Sequence, residues 1–312
     1  METTRPTAGR SAPPTLESHA VHDGLREAAE RIGLTAVELE TPTVQQTVLE
    51  ELKQAVPALP DLIRQAGEQL DVHGAVRFTG LPVACDVALI GLLAAFGQPT
   101  SRGNGAPAER LIYEVAPDDA ATGPTNLSKG RAAQNPHTDS PVQHRPHEFL
   151  ALACVTGDPA GGGLSTVVRA DDVAAALDER DGGATTALLR EEKYPFLDTP
   201  LGLDEPPVIA PVLRRTSQGR WRVRFRRDAL VAGFQRHPSV TSAAHRAAVD
   251  AFTTMATDPA LTATFQLAPG DMVLLDNTRV MHGRTEITGT AERRLKRIKL
   301  FGEGRPRDGS GR

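Results

Sequence analysis

The chain is poor in the features that would place it in several common classes. It holds two cysteines, Cys85 and Cys154, in 312 residues, too few for a disulfide framework. Cys154 lies in the apolar run Phe149-Leu150-Ala151-Leu152-Ala153-Cys154-Val155, which reads as core rather than chemistry. No apolar run approaches the roughly 20 residues of a membrane span, and residues 1–20 lack the hydrophobic centre of a signal peptide. A formal net charge of -4 gives no electrostatic footprint for nucleic acid. The expectation is a cytoplasmic, reduced protein with no membrane and no nucleic-acid partner. Oligomeric state is not encoded in any pattern here.

Two catalytic signatures are also missing. The glycine-rich stretch Gly157 to Thr166 lacks the Gly-Lys-Ser/Thr ending of a phosphate loop. No Gly-x-Ser-x-Gly nucleophile elbow occurs. His144 and His147 are separated by Pro146 and have no evident carboxylate partners, so they make a poor metal pair.

What the chain does hold is Asn135-Pro136-His137-Thr138-Asp139, together with Val280-Met281-His282-Gly283-Arg284 far downstream. Strand side chains alternate with period two, so His137 and Asp139 share one face of a strand. A second histidine from a distant strand, His282, completes three ligands on one side of a metal. That two-His-one-carboxylate set leaves positions open and is diagnostic of non-heme Fe(II) oxygenases. Before His282, the run Met272 to Asn277 reads as a fully buried strand behind a Pro269-Gly270-Asp271 turn. After it, Arg293 to Phe301 reads as another strand. There Arg293 and Arg297 share a face and stand roughly 13 Å apart, a span suited to two different anions in one cavity. The competing reading is a solvated basic edge, favoured by Arg294, Lys296 and Lys299.

These residues resemble the motif of the Fe(II)/2-oxoglutarate-dependent dioxygenases, in particular the taurine dioxygenase and clavaminate synthase-like branch. The likeness runs from about Gly74 to Phe301 and is sharpest at the two ends of the metal motif. The resemblance implies His137, Asp139 and His282 as iron ligands, with 2-oxoglutarate and O2 as co-substrates. It implies Arg293 on the distal carboxylate of 2-oxoglutarate, helped by the hydroxyl of Thr166 or of its neighbour Ser165. Arg297 matches the position where related enzymes hold an acidic group of a small-molecule substrate. The loop with Asn126 and Ser128 falls where this branch builds a substrate lid, and Glu114 is a candidate for an amino group. The implied outcome is hydroxylation of an amino acid or related natural-product intermediate, with desaturation, epoxidation or cyclisation as variants. The related halogenases need the carboxylate gone, so Asp139 argues against halogenation. A metal-dependent isomerase or lyase and a non-catalytic metal-binding module are the readings from other classes.

The expected fold is α+β: a double-stranded β-helix (jelly-roll) with flanking helices. Residues 1–20 and 304–312 read as flexible tails around one catalytic domain, 21–303, helical to about residue 73 and sheet-rich from 74. Helices are expected over Gly24–Ile32, Val44–Val56, Asp61–Leu70, Ala88–Phe96, Ala170–Glu179 and Ala243–Ala256. Strands are expected at Gly74–Pro82, Leu111–Val115, Phe149–Val155, Ser165–Arg169 and Trp221–Phe225. The alternation of Arg222, Arg224 and Arg226 predicts a basic strand face, exposed or turned on an anionic group.

Overall fold

The computed structural model describes residues 10–35, 37–101, 110–118, 129–197, 206–289 and 293–302. The chain opens with β1 (Thr15–Glu17), α1 (His19–Ile32), α2 (Pro42–Ala55) and α3 (Leu59–His73). It continues through β2 (Ala75–Thr79), α4 (Asp86–Leu93), β3 (Gln98–Thr100), β4 (Ile112–Val115), β5 (Gln134–His137), β6 (Phe149–Thr156) and β7 (Ser165–Arg169). A long excursion follows: α5 (Ala170–Asp181), α6 (Ala184–Leu189), β8 (Tyr194–Phe196), β9 (Val208–Ala210), β10 (Leu213–Arg215), β11 (Trp221–Val223), α7 (Arg227–Arg236) and α8 (Ala243–Ala256). Four strands close the fold: β12 (Ala263–Phe265), β13 (Met272–Asp276), β14 (Val280–Arg284) and β15 (Arg294–Phe301).

Several helices form where the sequence repeats apolar residues at helical spacing, and α1, α3 and α5 stop at a left-handed glycine. In α1, Val21, Leu25, Ala28 and Ala29 make one buried stripe. α2 starts on Pro42 and α3 carries Pro60 at its second position, where proline costs little in the first turn. α3 ends at Gly74, whose φ of 72° lets its N–H return to the Leu70 carbonyl. Thr15–Glu17, in the stretch expected to be a tail, instead pairs in parallel with Arg77–Thr79 of β2.

Two antiparallel-dominated sheets carry the site. The larger has the order β1-β2-β13-β6-β15-β3, with β4 also on β15; the smaller has the order β12-β7-β14-β5. Val115, Leu150, Cys154, Val273, Leu275 and Leu295 from the larger sheet meet Val167, Ala263, Phe265 and Val280 from the smaller in one core cluster. The sheets therefore face each other. Helices α1 to α4 cover the outer face of the larger sheet, packing on Val76, Phe78, Met272, Leu274, Ile298 and Leu300. Helices α5, α7 and α8 cover the smaller one, against Val168 and Met281. No helix among the described residues is long and apolar enough to cross a membrane.

Three differences from the sequence expectation have clear causes. The Trp221–Phe225 strand stops at Val223: Phe225 gives its N–H to the Thr138 hydroxyl and its carbonyl to the Thr138 N–H, and α7 starts at Arg227. Arg224 does not form a solvated face: its guanidinium donates to the carbonyls of Pro141, Gln143 and His144. Lys296 also leaves the basic edge, donating to the Val83 and Ala84 carbonyls and to Asp86.

Candidate metal centre

His137 ends β5 and His282 sits at the middle of β14, directly opposite it in the antiparallel register. The two strands approach closely because the residue after His282 is a glycine. A Cβ on Gly283 would stand 2.4 Å from the Gln134 carbonyl oxygen. Their imidazole rings lie 4.4 Å apart, centroid to centroid. Asp139 follows two residues after His137 and turns the same way. Its Oδ1 is 3.7 Å from His137 Nε2 and 3.9 Å from His282 Nε2. Thr138 between them points outward, and its hydroxyl accepts from the Phe225 N–H at 3.0 Å. The three ligand atoms all lie within 4.8 Å of one another, and no other such group occurs among the described residues.

The chemistry of this set fits a cation. His137 Nδ1 donates to the Asn135 carbonyl at 2.9 Å, which leaves Nε2 with its lone pair toward Asp139. Burial lowers the pKa of His137 and, with the neighbouring imidazole, pushes His282 down to about 3. Both rings are thus neutral, as metal ligands must be. Burial alone would raise the Asp139 carboxyl, but Arg297, Lys299 and the two histidines together hold it well below the usual carboxylate range. Two neutral imidazoles and an ionised oxygen converge, and a divalent ion bound by Nε2 of each histidine and by Asp139 would satisfy all three.

A frame of polar contacts fixes Asp139. Asn277, the residue after β13, accepts from the Asp139 N–H at 2.8 Å and donates to the Asp139 and His147 carbonyls at 3.1 and 2.8 Å. Asn277→Ala leaves three buried backbone groups unsatisfied, at about 1–3 kcal/mol each. The expected loss is about 3 kcal/mol in urea unfolding, and a loss below about 1 kcal/mol would remove Asn277 from this role. Ser140 next to Asp139 is the only described non-glycine residue with positive φ, at 58°. Its hydroxyl contacts His147 Nδ1 at 2.8 Å, and His147 stacks on Phe301. His147 is therefore a buried support of the site.

Residues 40–299 match the taurine catabolism dioxygenase TauD, TfdA family. The chain belongs to this family. Among curated proteins, none matches it in sequence. The solved structures it resembles include asparagine oxygenase with Fe(II), (2S,3S)-3-hydroxyasparagine and succinate, at 21% identity and TM-score 0.73 over 92% of this chain and 93% of that one. They also include the non-heme iron oxygenase OrfP with Fe and α-ketoglutaric acid, at 18% identity and TM-score 0.68 over 94% of each chain.

In this TauD/TfdA-family chain the inner face of the sheets holds the other candidates unevenly. On β15, Leu295 joins the inter-sheet core while Ile298 and Leu300 join the helix-covered core, so Leu295, Arg297 and Lys299 face inward. Arg293 precedes β15, is buried, and makes no hydrogen bond among the described residues. Its chain passes so close to Gly163 that a Cβ there would lie 2.8 Å from Arg293 Cδ and Nε. Arg297 reaches Asp139 Oδ2 at 3.3 Å and lies over the Tyr113 ring at 4.7 Å.

Strand register separates the two adjacent hydroxyls. Ser165 is paired with Arg284, two residues from His282, so it shares the ligand face; Thr166 is paired with Gly283 and points to the other face. Of the two hydroxyls that the sequence left open, Ser165 is the one on the ligand face, and it is 5% exposed. Glu114 stands apart from the three ligands. It pairs with Lys296 on the side of β15 away from the site and is exposed, whereas its neighbour Tyr113 pairs with Arg297. Asn126 and Ser128 lie outside the described residues. Lys299, Asn277, Ser140 and Tyr113 were not singled out by sequence reasoning; only the inward alternation from Arg293 could have found Lys299.

Proposed function

We propose that the chain is an Fe(II)- and 2-oxoglutarate-dependent hydroxylase of an amino acid or a related small molecule with an acidic group. The observation that carries this reading is three converging ligand atoms with Arg297 on the same inner face and a buried Arg293 just before β15. The two facing sheets are read as a double-stranded β-helix, within a single catalytic domain over 21–303. The free thiols Cys85 and Cys154 suit a reducing cytoplasm.

Iron held by His137, Asp139 and His282, with 2-oxoglutarate and O2, supplies C–H oxidation coupled to release of succinate and CO2. The chain's own residues do the binding and orienting. Arg293 offers a planar fork with no competing acceptor to the distal carboxylate of 2-oxoglutarate. Ser165 Oγ adds a donor on the same face. Arg297, held between Asp139 and Tyr113, is the cation available to a substrate acid. The amino-acid reading draws support from asparagine oxygenase, solved with 3-hydroxyasparagine, and OrfP, solved with (3S)-hydroxy-L-Arg.

Two measurements test it. Protein reconstituted with Fe(II) is expected to form succinate from 2-oxoglutarate faster in the presence of one member of an amino-acid panel, with a product heavier by one oxygen. Turnover of a panel member without O2 uptake or succinate would contradict the reading. Ser165→Ala is expected to raise the 2-oxoglutarate requirement about tenfold, the value of one hydrogen bond to a charged group. Thr166→Val should leave it unchanged, and the opposite order would overturn the Ser165 assignment.

A further inference from the structure

Lys299 stands out because a lysine is rarely buried so deeply without a task. Its side chain is 5% exposed, and its Nζ lies 3.4 Å from Asp139 Oδ2 and 3.2 Å from Ser140 Oγ. Arg297 reaches the same carboxylate oxygen at 3.3 Å. The two imidazoles face the other oxygen, Oδ1, at 3.7 and 3.9 Å. The carboxylate is divided: one oxygen toward the imidazoles, the other toward two cations.

We propose that Lys299 is a positioning residue that holds Asp139 to one-oxygen ligation and so keeps the coordination position beside Oδ1 open. The inference rests on the iron and 2-oxoglutarate reading above. A carboxylate binds a metal through one oxygen or two, and an oxygen engaged by a cation is withdrawn from the second mode. Three protein donors leave three of six positions open. A keto acid binding through two oxygens together with O2 would need all three, so a second Asp139 oxygen would compete for one of them. Arg297 cannot guard Oδ2 alone, because it is also the cation offered to the substrate acid. Lys299 supplies the second cation on that oxygen, at 3.4 Å. Its own position is set by Ser140, by the Asn277 contacts on the Asp139 backbone, and by Phe301, two residues further along β15, which stacks on His147. The left-handed φ of 58° at Ser140 is the kind of backbone cost retained where geometry matters.

The test is calorimetric binding of Mn(II), and of 2-oxoglutarate to the Mn(II)-loaded protein, in wild type, Lys299→Met and Lys299→Gln. Methionine keeps the length without a donor; glutamine keeps an N–H donor without the charge. Lys299→Met is expected to bind Mn(II) at least as tightly as wild type but 2-oxoglutarate about tenfold more weakly, the usual scale for a lost outer-sphere partner. Lys299→Gln is expected to recover most of that loss. Unchanged 2-oxoglutarate affinity in the methionine variant would overturn the inference. Parallel loss of both affinities, which marks a merely structural lysine, would overturn it too. So would equal loss in both variants, which marks long-range attraction of the anion. Wild-type protein that binds no Mn(II) would instead remove the metal reading itself, and the two failures are told apart by that first titration.

Discussion

Replacing Asp139 with alanine is expected to abolish Fe(II)-dependent turnover, a loss well beyond about a hundredfold, since even an outer-sphere partner is worth about 10- to 100-fold. The same substitution acts on folding in a way that identifies its surroundings. Arg297 and Lys299, with side chains 15% and 5% exposed, lose the carboxylate that compensates them. Breaking a buried pair of this kind costs about 3–5 kcal/mol. Urea unfolding of the metal-free variant should show a loss on that scale. Chloride, small enough to sit between the two cations, should restore part of it where a bulky anion such as gluconate at equal ionic strength does not. The pH dependence has a definite sign. The Asp139 carboxyl is held below its unfolded value, so its contribution is complete above the usual carboxylate range and is lost as pH falls through the lowered value. The alanine variant should lack that acid limb. Near-wild-type turnover, or stability indifferent to chloride, would contradict the assignment.

Arg293→Met is expected to raise the 2-oxoglutarate requirement by about 30-fold or more, because truncating one partner of a buried charge pair costs at least about 2 kcal/mol. Its effect on the protein alone should run the other way. Arg293 is buried, has no hydrogen bond among the described residues, and has its pKa lowered by that burial. Burial outweighs the attraction of Asp158, and a buried cation with no hydrogen-bonded carboxylate disfavours the folded state, so a methionine of similar length is expected to leave the ligand-free protein as stable or more stable. A co-substrate clamp predicts both signs together. A structural arginine predicts lower stability with an unchanged 2-oxoglutarate requirement, and thermal unfolding beside steady-state kinetics separates the two.

The metal motif was legible because it depends on one local rule. Alternation along a strand puts His137 and Asp139 on one face whatever the rest of the chain does, and Thr138 is turned out to Phe225 as that rule requires. The buried run Met272 to Asn277 and the helices α1 to α3, α5 and α8 were readable for a similar reason, being long enough to show a pattern, whereas α4 reads as one continuous apolar run. What the sequence left open depends on pairing. Ser165 and Thr166 are adjacent hydroxyls, and only the register of β7 against β14 decides which one faces His282. Glu114 and Tyr113 differ in the same way through β4 and β15. Lys296 and Lys299 look like surface lysines until Asp86 and Asp139 are brought to them from 210 and 160 residues away. Strands of three residues, such as β8, β9 and β10, carry too little pattern to be read at all.

The central claim is that one site holds Fe(II) and 2-oxoglutarate together. An anaerobic visible-absorption titration of the metal-free protein with Fe(II), with and without 2-oxoglutarate, tests it most directly. The account predicts a weak charge-transfer band that needs both components and is absent in His282→Ala. A protein that binds Fe(II) but develops no band on adding 2-oxoglutarate would contradict it.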